Sequence, residues 1–457
     1  MSTTILAYRS ISVIPVNLVS LLSPLSGQPM PSFSELNLCP ELLFTLKELG
    51  HLTPTPIQAQ AIPVILQGHD LMAEAQTGTG KTASFALPMI EKFGSAPQGT
   101  EYHHIRGLIL VPTRELAMQV GDHTMQYGRA LGVRVISIYG GVRFDNQIRK
   151  MKRGTDILVA TTGRLLDMLE QKKFSLEQLE VLVLDEADRM LDLGFIHDIQ
   201  KILRFIPKNK QTLLFSATLN NNVETLAESL LLEPKRISIS TRNSTTSQVK
   251  QVAYAVDNQD KSEILSYLIS GGNWTQTLVF TRTKIRADQV TEFLQAENIS
   301  SLAIHGDKLQ RERTHALKAF AAGEIKVLVA TDVAARGIDI ESLPRVVNYD
   351  LPNQPEAYVH RIGRTGRAGS SGQAISLVAP DERCYLAEIE TLINKRIPLQ
   401  PVPFIENGKI IDGKPIKPRS SKSKVPQKKN TKPKHQYQAP EAEQPTMPAL
   451  RPSLFKK

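Results

Sequence analysis

The chain has 457 residues, 41% hydrophobic and 22% charged, with a formal net charge of +10. One core stops growing at about 250–300 residues, so this length predicts two or three domains. Only Cys39 and Cys384 are present, which excludes a disulfide framework or zinc site and fits a reducing, cytoplasmic setting; no run of roughly eighteen apolar residues exists to span a membrane.

Residues 1–29 are apolar and Ser-rich, with Arg9 as their only charge, and lack the charged start of a signal peptide. They read as a non-globular extension, with translation expected to begin at Met30. Short β-branched runs then follow at intervals: "DLMAEA" (70–75), "GLILV" (107–111), "VRVISIY" (133–139), "DILVAT" (156–161), "VLVLD" (181–185) and "TLLFS" (212–216). Each is nearly all apolar, as expected for strands covered on both faces of a parallel sheet, and helical spacing separates them. A second series repeats the pattern: "TLVFT" (277–281), "SLAIHG" (301–306), "KVLVAT" (326–331), "RVVNYD" (345–350) and "AISLV" (374–378). Two α/β domains are predicted, over 30–239 and 249–405, joined by the polar linker 240–248. From Glu406 onward, 13 Lys and Arg face four Asp and Glu. This Lys/Pro/Ser-rich segment, 406–457, predicts a disordered basic tail, and it holds nearly all of the net charge.

Polar clusters sit where these strands end, which is where open α/β sheets bind ligands. "AQTGTGKT" (Ala75, Gln76, Thr77, Gly78, Thr79, Gly80, Lys81 and Thr82) follows a strand and opens a helix. It reads as a P-loop with Ala75 in place of the usual glycine. Backbone N–H groups would cradle phosphates, Lys81 would reach the β and γ phosphates, and Thr82 would ligate Mg2+. "DEAD" (185–188) leaves another strand, so that Asp185 would hold the metal while Glu186 deprotonates an attacking water. Gln58, just before the P-loop strand, carries an amide able to read the edge of adenine, although an exposed helix glutamine would look the same.

Taken together these motifs resemble the DEAD-box ATP-dependent RNA helicases over about residues 33–380, and the short linker and basic tail are most similar to the bacterial RhlE-type branch. The resemblance implies two tandem RecA-like domains with parallel sheets, ATP and Mg2+ as cofactors, and RNA-stimulated ATP hydrolysis coupled to local unwinding or remodelling of short duplexes and RNA–protein complexes. Phe33 would stack on adenine, Gln58 would bond its edge and Asp339 would meet the ribose. Ser216 and Thr218 of "SAT" would couple hydrolysis to strand separation, with Asp188 and His360 bridging the domains. RNA backbone contacts would come from Pro112, Thr113, Arg114, Gly140, Gly141, Gly163, Arg164 and Asp167 in domain one. In domain two they would come from Thr281, Arg282, Gly306, Asp307, Gln310, Arg313 and Thr331. The family usually has proline where this chain has Thr162, which predicts a looser strand-end turn.

Such contacts grip phosphate and sugar without reading sequence, and 2′-OH groups would distinguish RNA from DNA. With 5% aromatic residues and Trp274 as the only tryptophan, stacking platforms are not obvious and backbone tracking is expected. "HRIGRTGR" (360–367) spaces Arg361, Arg364 and Arg367 three apart. By the resemblance Arg364 and Arg367 are arginine fingers on the γ-phosphate, whereas Arg361 supports the cleft. Expected partners are single-stranded or short duplex RNA, with ribosomal precursors and RNA-decay machinery as candidate settings and no membrane. An ATP-dependent RNA clamp with little unwinding and a superfamily 2 DNA helicase stand as alternatives.

Overall fold

The computed structural model describes residues 31–75, 78–94, 104–239, 249–335, 343–366, 372–406 and 409–411. The extension 1–29, the linker 240–248, the tail beyond 411 and four expected site residues (Gln76, Thr77, Asp339 and Arg367) lie outside them.

Seven strands build the first sheet: β1 (Leu71–Glu74), β2 (Gly107–Val111), β3 (Val135–Ile138), β4 (Ile157–Thr161), β5 (Val181–Leu184), β6 (Gln211–Ser216) and β7 (Lys235–Ser238). Their spatial order is β3-β4-β2-β5-β6-β1-β7, and every pairing is parallel. The continuous apolar runs follow from burial on both faces. In β2, Ile109 and Val111 enter one core layer while Leu108 and Leu110 enter the other, and Val183 and Leu182 of β5 divide the same way. Helices on each face supply the rest of both layers.

The second sheet repeats this topology strand for strand. It comprises β8 (Val249–Ala255), β9 (Thr277–Thr281), β10 (Ser301–Ile304), β11 (Val327–Thr331), β12 (Arg345–Asn348), β13 (Gly372–Val378) and β14 (Leu399–Gln400). Its order, β10-β11-β9-β12-β13-β8-β14, puts β8 in the place that β1 occupies in the first sheet. The two RecA-like domains expected from the motifs are therefore present.

Four features were absent from the strand series. β7 and β14 are edge strands, and in "KRIS" only Ile237 is buried. β8 reads "VKQVAYA", a mixed pattern weaker than its central neighbours. A hairpin of β15 (Phe404–Glu406) and β16 (Lys409–Ile411) also runs past Ile405, where the second domain was expected to end. Each is short or partly polar, so hydrophobic periodicity gives it little signal.

Strand order sorts the motifs. β5, β6 and β1 are neighbours, so "DEAD", "SAT" and the P-loop emerge side by side; the Ala75 N–H donates to Ser216 O at 2.9 Å, closing that edge. β3, β4 and β2 occupy the other half, so "YGG", "TTGR" and "PTREL" emerge together.

Candidate functional site

The P-loop bends because its glycines take conformations other residues resist. Gly78 and Gly80 have φ of +80° and +87°. A Cβ on Gly80 would lie 2.3 Å from Nε2 of Gln58, whose amide donates to Gly80 O at 3.1 Å. The other end of that amide, Oε1, accepts from the Thr55 N–H at 2.9 Å. Gln58 is thus buried and braces the loop through its side chain, instead of being the exposed glutamine its helix position allowed. Phe33 is buried in the layer that also holds Ile57 and Ala83. Thr79 and Thr82 are half-buried at the loop and at the start of the helix Lys81–Gly94.

Lys81 is buried, and its Nζ has no hydrogen-bond partner among the described residues. An ammonium so placed is costly unless an anion meets it. Asp185 lies close enough for Lys81 to favour its ionised form, yet burial wins and pushes its carboxyl up to about 6. Glu186 sits at φ 56°, ψ 52°, a left-handed conformation that a non-glycine residue holds at a cost of about 1–3 kcal/mol, and begins the helix Ala187–Asp192. Burial raises its carboxyl, opposed chiefly by Lys81 and then by Arg364 from the second domain. These residues fit a nucleotide phosphate chain: a buried cation without a hydrogen-bond partner among the described residues, a positive-φ glycine loop and buried acids converge at one point. Thr82 and Asp185 offer one hydroxyl and one carboxylate, the sparse protein set with which Mg2+ is held beside substrate phosphates.

Asp188 is also buried. Its Oδ2 accepts from the N–H groups of Ala217 and Thr218 at 3.2 and 3.1 Å and from the Thr218 hydroxyl at 3.1 Å. The Ser216 hydroxyl donates to Thr218 O at 2.6 Å. Thus "DEAD" and "SAT" share one carboxylate. His360 arrives from the second domain; burial lowers its pKa, while Asp188 opposes that and Arg364, Arg189 and Lys81 reinforce it.

The three arginines of "HRIGRTGR" part company. Arg361 is 1% exposed and forms a bidentate pair with Asp332, at 2.6 and 2.7 Å, while its third nitrogen donates to Asn348 Oδ1 and Asp350 O. All of these partners belong to its own domain. Arg364 lies beyond the end of the helix Pro355–Ile362, buried and within electrostatic reach of Glu186.

A cleft of about 460 Å³ runs along the other half. Domain one lines it with Pro112, Thr113, Arg114, Glu115, Gly140, Thr161, Thr162, Gly163, Arg164 and Asp167, plus Leu193, Phe195 and Asp198, and domain two adds Gly306 and Arg313. Thr113 caps the helix Arg114–Gly128 by accepting from Leu116 N. Arg164 donates to Val142 O at 3.3 Å and lies over the Phe144 ring. Gly141, at φ +80°, lies against Arg114, so a Cβ would come 2.3 Å from Nη1. Thr162 occupies the first position of the helix Thr162–Glu170, where proline is favoured because its missing N–H is not needed. Threonine fills the same place, 1% exposed, with the turn intact.

Most of the remaining expected RNA contacts have protein partners. Glu115 accepts from Arg313 Nη2 at 2.7 Å and from Gln310 Nε2 at 3.1 Å, and Arg114 donates to Gln310 Oε1 at 3.4 Å. These four residues bridge the domains. Arg282 pairs with buried Glu382, Asp307 pairs with Lys284 at 2.6 Å, and Thr281 and Thr331 are buried at the ends of β9 and β11. Glu115, Arg189 and Glu382 were missed. Glu115 reads in sequence as an acid in the first turn of a helix, and no local pattern marks an acid that will meet a residue 198 positions away.

Family models for the DEAD/DEAH box helicase and the helicase conserved C-terminal domain match residues 55–226 and 260–369. The chain is 42% identical over 83% of its length to a DEAD-box ATP-dependent RNA helicase, RhpA, of Helicobacter pylori, covering 76% of that protein. It is also 42% identical over 83% of its length to the helicase CshA of Bacillus cereus, covering 71%. Among solved structures, Saccharomyces cerevisiae Dbp5 bound to RNA and ADP BeF3 superposes with a TM-score of 0.73 at 32% identity, over 81% of this chain and 96% of that one.

Proposed function

The chain belongs to the DEAD-box ATP-dependent RNA helicases, and from that premise we propose that it hydrolyses ATP in the cleft between its two domains when RNA lies along the adjoining half. The observation that carries this reading is the unpaired, buried Lys81 Nζ beside Asp185 and Glu186, with Arg364 and His360 brought to the same point by the other domain.

The nucleotide's phosphates would replace the missing partner of Lys81. Thr82 and Asp185 would hold Mg2+, which when bound neutralises phosphate charge. Glu186 accepts a proton from the attacking water, while Arg364, with Arg367 of the same sequence motif, stabilises charge on the transferring phosphoryl group. Phe33 and Gln58 would face the adenine and Asp339 the ribose. Asp188 holds "SAT" in place and acts on His360 through its charge, so that the state of the nucleotide would be felt by both domains.

RNA would lie against Arg114, Gly140, Gly163, Arg164 and Gly306, whose backbone amides and guanidinium groups suit phosphate and sugar. Gln310 and Arg313 act in this reading by joining the domains beside the RNA. Local strand separation follows from closure around one strand. The boundaries 30–239 and 240–248, a second domain from 249 that continues through the hairpin to 411 in place of ending at 405, the RhlE-type branch and a cytoplasmic setting complete the proposal; branch and setting rest on composition and motif spacing. No helix among the described residues is long and apolar enough to cross a membrane.

Glu186→Gln tests the central assignment. Expected are unchanged ATP binding, loss of steady-state phosphate release, and a complex that stays on single-stranded RNA. Normal RNA-stimulated turnover in this variant would remove Glu186 as the base.

A further inference from the structure

Arg189 follows "DEAD" directly and has no role in the chemistry just described. It is 5% exposed, and its Nε and Nη2 are buried without a hydrogen-bond partner among the described residues. Its ion pair to half-exposed Asp192 is long at 3.8 Å. Guanidinium groups stay charged in proteins, so two buried, unanswered donors are expensive and need a compensating partner.

The surrounding carboxylates are the candidates for that partner. Burial lowers the Arg189 pKa, and the carboxylates of Glu186, Asp192, Asp332 and Asp188 oppose it in that order. Glu186 and Asp188 are already occupied by other roles. Asp332 belongs to domain two, at the end of β11, and is held from behind by the bidentate grip of Arg361. Each of its oxygens still has a free lone pair.

We infer that Arg189 is a positioning residue of the domain seam: its free donors engage the Asp332 carboxylate as the cleft tightens on ATP and RNA, holding the helix Ala187–Asp192, and Asp188 with it, against domain two. At the ATP end of the seam, domain one would then report on domain two through the charge of Asp188 on His360 and through Arg189 to Asp332, apart from the Glu115 contacts at the other end. The inference rests on the closure mechanism proposed above.

The experiment uses the full-length protein labelled with a donor and acceptor dye on the two domains. ADP beryllium fluoride and an oligo-uridine single strand are the probes, and ADP affinity is measured separately without RNA. Arg189→Met should leave ADP affinity without RNA within about twofold but raise the RNA concentration for half-maximal closure about tenfold, the loss of one charge-assisted contact. Arg189→Lys should recover part of that loss. Equal closure in wild type and Arg189→Met would overturn the inference, and so would loss of ADP binding without RNA, which would place Arg189 in domain one's own fold. A wild type that fails to close on RNA would instead count against the proposed function.

Discussion

Arg361 and Arg364 are three residues apart and chemically identical, yet they face different partners because the helix between them stops. The helix Pro355–Ile362 keeps Arg361 turned inward to Asp332; Gly363 then ends it, and Arg364 leaves on a new course toward Glu186. Their variants should therefore fail in different ways. Arg361→Ala strips the buried side of a partly buried pair, a loss that approaches about 3–5 kcal/mol only where both partners are buried, and should lower the unfolding midpoint of domain two in a urea titration. Arg364→Ala should unfold normally and lose RNA-stimulated turnover by about 10³–10⁵-fold, the usual worth of an arginine finger. Equal unfolding midpoints for the two variants would contradict this division. The identities of both residues were legible in "HRIGRTGR", and so was a difference in role; the atoms that Arg361 touches were not.

At the scale of elements, the P-loop depends on conformations that only glycine adopts cheaply. Gly80 is confined twice, by φ of +87° and by the Gln58 amide that a Cβ would strike. Gly80→Ala should therefore weaken ADP binding by about tenfold or more, since strain of about 1–3 kcal/mol must be met by shifting the loop. Titration of a fluorescent ADP against the variant measures this, and unchanged affinity would show that the loop yields freely. The central strands were readable because burial on both faces demands unbroken apolar runs. Edge strands such as β7, with one buried residue, make no such demand. Thr162 illustrates the reverse case: the missing proline suggested a loose turn, but a first helical position asks only for a residue that can begin a helix, and threonine does so.

Across the whole molecule, two copies of one sheet topology meet with their strand ends facing a common cleft, and the seam is made by paired side chains. Glu115 ties both Arg313 and Gln310 of the second domain to the first, and Arg114 adds a second bond to Gln310. The basic segment beyond the last hairpin adds charge without a counterpart in the folded domains, and 12 of its 13 Lys and Arg lie after Lys409. Truncation belongs after Ile411, because β15 and β16 pair across 404–411. Without the tail, the RNA concentration for half-maximal ATPase should rise and its dependence on salt should flatten, as each lost phosphate contact removes about 0.7 from the slope on a single strand. Turnover at saturating RNA should hold. Identical salt slopes for both lengths would mean that the tail does not touch RNA.

Taken by itself, the sequence determined the class of fold, the nucleotide chemistry and the family, because those follow from local constraints: apolar runs that must be covered, glycines that must turn, and acids and a lysine at strand ends. Only the tertiary structure decided which motifs become neighbours. Strand order, set by long-range pairing, puts "DEAD", "SAT" and the P-loop on one half and "YGG", "TTGR" and "PTREL" on the other. It also turned Gln310 and Arg313 toward Glu115 and left Arg189 buried with donors to spare, since a contact between residues far apart in the chain leaves no mark on the local pattern of either.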